Sequence, residues 1–167
     1  MVAPRLKRLV IETYWLEEAL LPEVLRMQTP ELEQLELWFG DEFQETRAPD
    51  VEKLLMREWP RLKSLGLRNA SFSQELMGLV ARSKLLPQLN VLDLSLGAFS
   101  DADADALIDH AAAFSHLATL SFDENQLCTS LPRLRQAFPN ATFEEQRELD
   151  DDPCVAVNGL SDLASRS

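Results

Sequence analysis

Cysteine is almost missing: Cys128 and Cys154 are the only two in 167 residues. Two cannot build a disulfide framework, so free thiols in a reducing, cytoplasmic compartment are the expectation, with Cys128 a small core residue. Histidine is equally scarce, and His110 and His116 stand at no spacing from the cysteines that a zinc site uses. Basic charge is short as well, 16 Lys and Arg against 28 Asp and Glu, for a formal −12. The deficit is uneven: residues 1–84 carry 12 basic against 14 acidic side chains, and residues 85–167 carry 4 against 14. A phosphate backbone is repelled by that second half, which argues against nucleic acid. A basic or mixed protein surface suits it better, although the charge serves solubility equally well. Long apolar runs are lacking, so no transmembrane helix and no membrane role are expected. The opening Met1–Arg8 has no signal-peptide apolar region. No G-x-S-x-G, phosphate loop or dinucleotide fingerprint occurs, so neither catalysis nor a cofactor is expected.

Hydrophobic residues are plentiful, at 46%, and they recur in phase. Leu117-Ala-Thr-Leu120-Ser-Phe122-Asp-Glu-Asn125-Gln-Leu127 fits the template L-x-x-L-x-L-x-x-N-x-L, with Phe for one Leu. Residues two apart on a strand point to one side, so Leu120 and Phe122 enter a core together. Asn125 can then satisfy backbone groups where the strand turns away. The same phase occurs at Leu6-Lys-Arg-Leu9-Val-Ile11, Leu32-Glu-Gln-Leu35-Glu-Leu37, Leu62-Lys-Ser-Leu65-Gly-Leu67 and Leu89-Asn-Val-Leu92-Asp-Leu94. A degenerate copy follows at Phe138-Pro-Asn-Ala141-Thr-Phe143.

The steps between first leucines are 26, 30, 27 and 28 residues, which leaves room for a strand, a turn and a true helix. Helical spacing is clearest in 73–85, behind Ser73 as cap, and in 100–114. Shorter helices are expected in 50–59 and 129–138, while Pro22 implies that the first is broken or starts late. The prediction is an α/β leucine-rich-repeat solenoid, a horseshoe segment with parallel strands on a concave face and helices on the convex face. It comprises residues 1–143, five repeats plus a degenerate last one, with 144–167 an acidic C-terminal cap and tail. A doubly wound α/β sheet also alternates strands and helices, but does not require the L-x-x-L-x-L phase.

The repeats resemble the ribonuclease-inhibitor-like class of leucine-rich-repeat proteins. The runs Leu35-Glu-Leu37-Trp-Phe-Gly40, Leu65-Gly-Leu67-Arg-Asn69 and Leu92-Asp-Leu94-Ser-Leu-Gly97, with the acidic Asp150–Val157, are similar to the C-terminal half of a bacterial family. That family consists of cytoplasmic leucine-rich-repeat proteins of unassigned activity. The resemblance covers roughly residues 5–157 and implies a binding scaffold that is longer at its N-terminus. The chain departs from the consensus at the asparagine position, which holds Gly40, Ala70 and Gly97 in the middle repeats.

The outward strand positions would form the binding surface. Glu12, Glu36, Trp38, Arg68, Asp93, Ser95, Ser121 and Asp123 are the candidate contacts for a protein or peptide. Trp38 and Arg68 are the anchors, since exposed Trp and Arg dominate binding hot spots. Glu36, Asp93 and Asp123 would face a basic side chain of the partner. Against this stands a structural role, in which the segment only extends or caps a longer solenoid whose functional surface lies upstream. The first repeat has no polar cap before Leu6, so its edge is expected to self-associate. Asp101, Asp103 and Asp105 have calcium-like spacing, but Ala106 and Ala112 replace the Gly and Glu of an EF-hand loop. A helix N-terminus explains the three acids better.

Overall fold

The structure, a computed structural model, describes residues 2–12, 20–40 and 48–147. Six strands form one parallel sheet in chain order: β1 (Arg8–Ile11), β2 (Gln34–Trp38), β3 (Ser64–Arg68), β4 (Val91–Asp93), β5 (Thr119–Ser121) and β6 (Ala141–Thr142). Between them run α1 (Leu20–Arg26), α2 (Ala48–Met56), α3 (Ser73–Ala81), α4 (Ala104–Phe114) and α5 (Leu131–Ala137). Short 3₁₀ turns occupy Leu86–Gln88 and Asp101–Asp103.

The leucine phase sets the register. Leu9, Leu35, Leu65, Leu92 and Leu120 stand opposite one another across five strands. With their partners Leu37, Leu67, Leu94 and Phe122 they enter one apolar cluster. The buried sides of the helices, including Leu54, Leu76, Leu107 and Leu134, complete that cluster. The helices therefore cover one face of the sheet, each packed on the next in chain order, and the alternate strand positions occupy the other, open face.

Pairing continues past the strand ends, where the N–H groups of Phe39, Asn69, Leu96 and Glu124 donate to carbonyls of the following unit. Asn69, Leu96 and Glu124 all have left-handed backbone, with φ of 54°, 61° and 55°. Only the first is a residue that favours it. The turn recurs because the ladder bond and the Asn125 side chain hold it. Asn125 is fully buried; its amide donates to the carbonyls of Leu94 (3.0 Å), Phe122 (3.0 Å) and Asp123 (3.2 Å), and accepts from the Phe99 N–H (3.1 Å). Gly97 is required beside it, since a Cβ there would lie 2.7 Å from Asn125 Oδ1. The departure from the repeat consensus at Gly97 thus makes room for the consensus asparagine of the next unit. Asn69 takes up part of the same task one position earlier. With its amide oriented to satisfy both partners, it donates to Leu96 O at 3.2 Å and accepts from Gly40 N–H at 3.3 Å.

A second device closes the opposite corners, where helix leads into strand. Gln88 donates to the carbonyls of Trp59 and Leu62, and Asn140 to those of Phe114 and Leu117. His116, placed like Gln88 just before a first leucine, sits 2.8 Å from Leu86 O, so its Nε2 carries the proton there. Arg57 donates to Val24 O and Met27 O while stacking on Trp59. Burial lowers the Arg57 pKa from its ordinary value. At the last unit Phe143 stacks on Phe122, with centroids 5.4 Å apart, and Gln146 donates to Phe122 O and accepts from Leu127 N–H.

Three expectations need correction. Ser73 is not the cap of α3: Phe72 holds that position, Ser73 is the first helical residue, and no side chain caps the helix. Cys128 is not a free thiol but disulfide-bonded, which removes the argument for a reducing compartment; Cys154, the other cysteine, lies outside the described residues. α2 runs Ala48–Met56 rather than over 50–59, whereas α1, described from Leu20 with Pro22 in its first turn, agrees with a first helix that starts late. The acidic tail beyond Arg147 lies outside the described residues. Among the described residues no helix is long and apolar enough to cross a membrane.

Candidate functional site

Five open-face side chains and one glycine form a row across the sheet, as Val10, Glu36, Gly66, Asp93, Ser121 and Thr142 stand opposite one another in turn. Trp38 stands opposite Arg68 one step along. These positions meet at the middle of the sheet. Glu36 lies across Gly66, where a Cβ would come within 2.9 Å of its Cγ. Glu36 Oε1 accepts from Trp38 Nε1 at 2.8 Å and from Arg68 Nη1 at 3.3 Å. The Arg68 guanidinium lies over the Trp38 ring, 4.3 Å from its centre, well inside the range of a cation–π contact.

On its other side Arg68 Nε is 3.5 Å from Asp93 Oδ2, yet that N–H makes no hydrogen bond and is buried. The ion pair is thus electrostatic contact without a formed bond. Asp93 uses its other oxygen on Ser95 N–H, at 2.9 Å. The side chains of Glu36, Arg68 and Asp93 are 16%, 23% and 31% exposed, so they are screened less than surface ions but still open to a neighbour. The cluster offers a flat aromatic edge, a cation and two carboxylates.

The other candidates separate from this group. Glu12 is exposed just beyond β1. Ser121 and Asp123 form their own set on the last strands, where Asp123 accepts from the hydroxyls of Ser121 and Thr142, both at 2.8 Å, and from Glu144 N–H at 2.7 Å. Ser95 is 3% exposed with its hydroxyl unpartnered, so it does not reach the surface. Phe39 is buried and meets Phe72 edge-on, as inward alternation requires.

The three aspartates of 101–105 have three different sets of partners. Asp101 accepts from the N–H groups of Cys128, Thr129 and Ser130 and from the hydroxyls of Thr129 and Ser130, ahead of α5. Burial by itself raises its pKa, but these hydrogen bonds outweigh it and hold the carboxyl well below the ordinary range. Asp103 forms a capping box with Ser100, and Asp105 pairs with Arg133.

Gly66 counts among the outward strand positions but not among the candidate contacts. Its signal was a residue without a side chain at an outward position between two acidic ones. Thr142 was overlooked because the sixth copy is degenerate.

No protein-family model matches the chain, and no curated protein does. A crystal structure of a protein from Bacteroides fragilis does match, with a TM-score of 0.77 and 26% sequence identity over 89% of this chain. The match covers 44% of that protein, so the chain spans under half of its length.

Proposed function

We propose that this chain is a non-enzymatic protein-interaction module, a segment of a leucine-rich-repeat solenoid whose open, concave strand face binds a protein or peptide. The observation that carries this reading is the half-buried Trp38–Arg68 stack between Asp93 and Glu36, the latter lying over Gly66. Trp and Arg in partly desolvated settings are the residues that most often anchor an interface. A basic side chain of the partner would meet Glu36 and Asp93, which together outnumber the Arg68 charge between them. The row of register-matched strands supplies a surface along which an extended segment can lie.

The test is selection from a displayed peptide library on the folded chain. Selected peptides are expected to lose at least about tenfold in affinity on Trp38→Ala and on Arg68→Met, each worth about 1.4 kcal/mol or more. Peptides that bind both variants as tightly as the parent would refute a site here.

A second reading, a structural extension or cap of a longer solenoid, is supported by the greater length of the Bacteroides fragilis protein. Among the described residues β1 pairs only with β2, so its outer edge is open to another repeat or to a second copy. Light scattering across protein concentrations distinguishes the two: a dimer that grows with concentration supports edge pairing, and a constant monomer removes it.

A further inference from the structure

Among the described residues two arginines stack on tryptophans, and they differ in what balances their charge. Arg68 lies 4.3 Å from the Trp38 ring centre and is paired with Glu36 and Asp93. Arg57 lies 4.0 Å from the Trp59 ring centre and is also partly buried. Its Nη1 donates to Val24 O at 2.9 Å and its Nη2 to Met27 O, which uses two of its five N–H groups. Carbonyl oxygens orient a guanidinium but do not neutralise it. None of the ion pairs among the described residues includes Arg57. Burial lowers its pKa, the direction expected of a cation that loses water without gaining a counter-ion.

Arg57 lines a cavity of about 330 Å³ together with Glu58, Trp59, Pro60, Lys84 and Leu85, at the corner where α2 and α3 lead into the strands that follow them. Lys84 is exposed and, like Arg57, belongs to none of those ion pairs. Glu58, the acid of the lining, is exposed and pairs with neither cation. Two cations against one carboxylate leave a positive charge over, within the half of the chain that is near charge balance. The lining selects among ligands. Free phosphate would meet the charge but leave Trp59, Pro60 and Leu85 without contact, and a neutral ring would do the reverse. A carboxylate on an apolar ring meets both, since the guanidinium fork matches a carboxylate in its plane. The volume accepts one such ring. We propose that this cavity binds a small monocarboxylate with an apolar body, its carboxylate taken by Arg57 and Lys84 in the role that Glu36 fills on Arg68.

The experiment follows backbone amide shifts of the whole chain during titration with sodium benzoate, with benzamide and sodium phosphate as controls for the ring and the charge alone. Benzoate is expected to give saturable shifts at Glu58, Trp59, Lys84 and Leu85 with a Kd of about 1 mM, ordinary for so few ligand atoms. Arg57→Gln is expected to abolish binding, but it also removes the bonds to Val24 O and Met27 O. Lys84→Glu, at an exposed position on the rim, is expected to weaken binding about tenfold, and decides the matter if Arg57→Gln does not fold. Benzamide binding as tightly as benzoate would overturn the proposal and leave only an apolar hollow. Phosphate binding as tightly would overturn it as well, and reduce the site to an adventitious anion only. Benzoate binding unchanged in Lys84→Glu, or an absence of saturable shifts, would overturn it too.

Discussion

Two polar clusters lie along the same sheet and are built on opposite principles. Around Asn125 the side-chain amide bonds only to main chain, at Leu94, Phe99, Phe122 and Asp123. It is sealed by Phe122, which meets Phe99 and Phe138 edge-on and Phe143 face to face. Around Arg68 the charged side chains bond mainly to one another, remain partly exposed and leave one N–H unused. Main-chain groups that lose a side-chain partner in a closed core have no replacement, whereas side chains at a half-open surface can exchange partners or turn to water. The first cluster therefore holds the turns in place, and the second keeps charged groups partly exposed at the open face.

The sharpest way to break this contrast is Asn125→Ala. It strands several buried backbone groups, and a loss of about 2–4 kcal/mol in urea unfolding is expected; a loss within about 0.5 kcal/mol would mean that the amide is dispensable. Gly97→Ala is expected to cost about 1–3 kcal/mol through contact with Asn125 Oδ1. Combined with Asn125→Ala it should cost less than alone, because the obstructing oxygen is gone. A double-mutant cycle reads that difference.

Next in size is Asp101→Asn, which weakens the clamp ahead of α5 by about 1–2 kcal/mol at neutral pH. The sign of its pH dependence follows from the depressed folded-state pKa. The unfolded carboxyl titrates near ~3.9, so the folded state binds fewer protons and the stabilisation is complete above that value. It is lost as pH falls below about 4 toward the folded-state value. Urea titrations between neutral and acid pH should show a smaller acid loss in Asp101→Asn than in the parent; identical slopes would remove Asp101 from this role.

The smallest effect is expected at the other cluster. Arg68→Met keeps the aliphatic cover on Trp38 and removes ion pairs worth about 1 kcal/mol or less in so open a setting. A loss comparable with that of Asn125→Ala would erase the contrast between the two clusters.

Much of the fold was legible from periodicity. The five leucines that pair in register are the residues that recur in the chain at steps of 26 to 30, because one buried face and a two-residue period leave a strand a single acceptable register. The helix starts were less legible. Ser73 has the composition of a cap, but the turn after β3 places Phe72 at the N-cap instead, where its ring reaches Phe39. Within the site, alternation placed Trp38, Glu36, Arg68 and Asp93 on the open face. It could not foresee that Ser95, a nominal neighbour, is buried. Nor could composition anticipate the bonding of Cys128, since two cysteines in a chain carry no signal of pairing.

By itself, then, the sequence determined the order of the strands, their register and the side to which each residue points, because these depend on a local period and on hydrophobic burial. Only the tertiary structure decided what the polar side chains do. Arg68 meets Glu36 across 32 residues, Asn125 reaches Leu94 O across 31, and Asp101 reaches Cys128 N–H across 27. Each of these contacts spans about one repeat, and no local pattern encodes a partner that arrives only when the next unit has stacked in place.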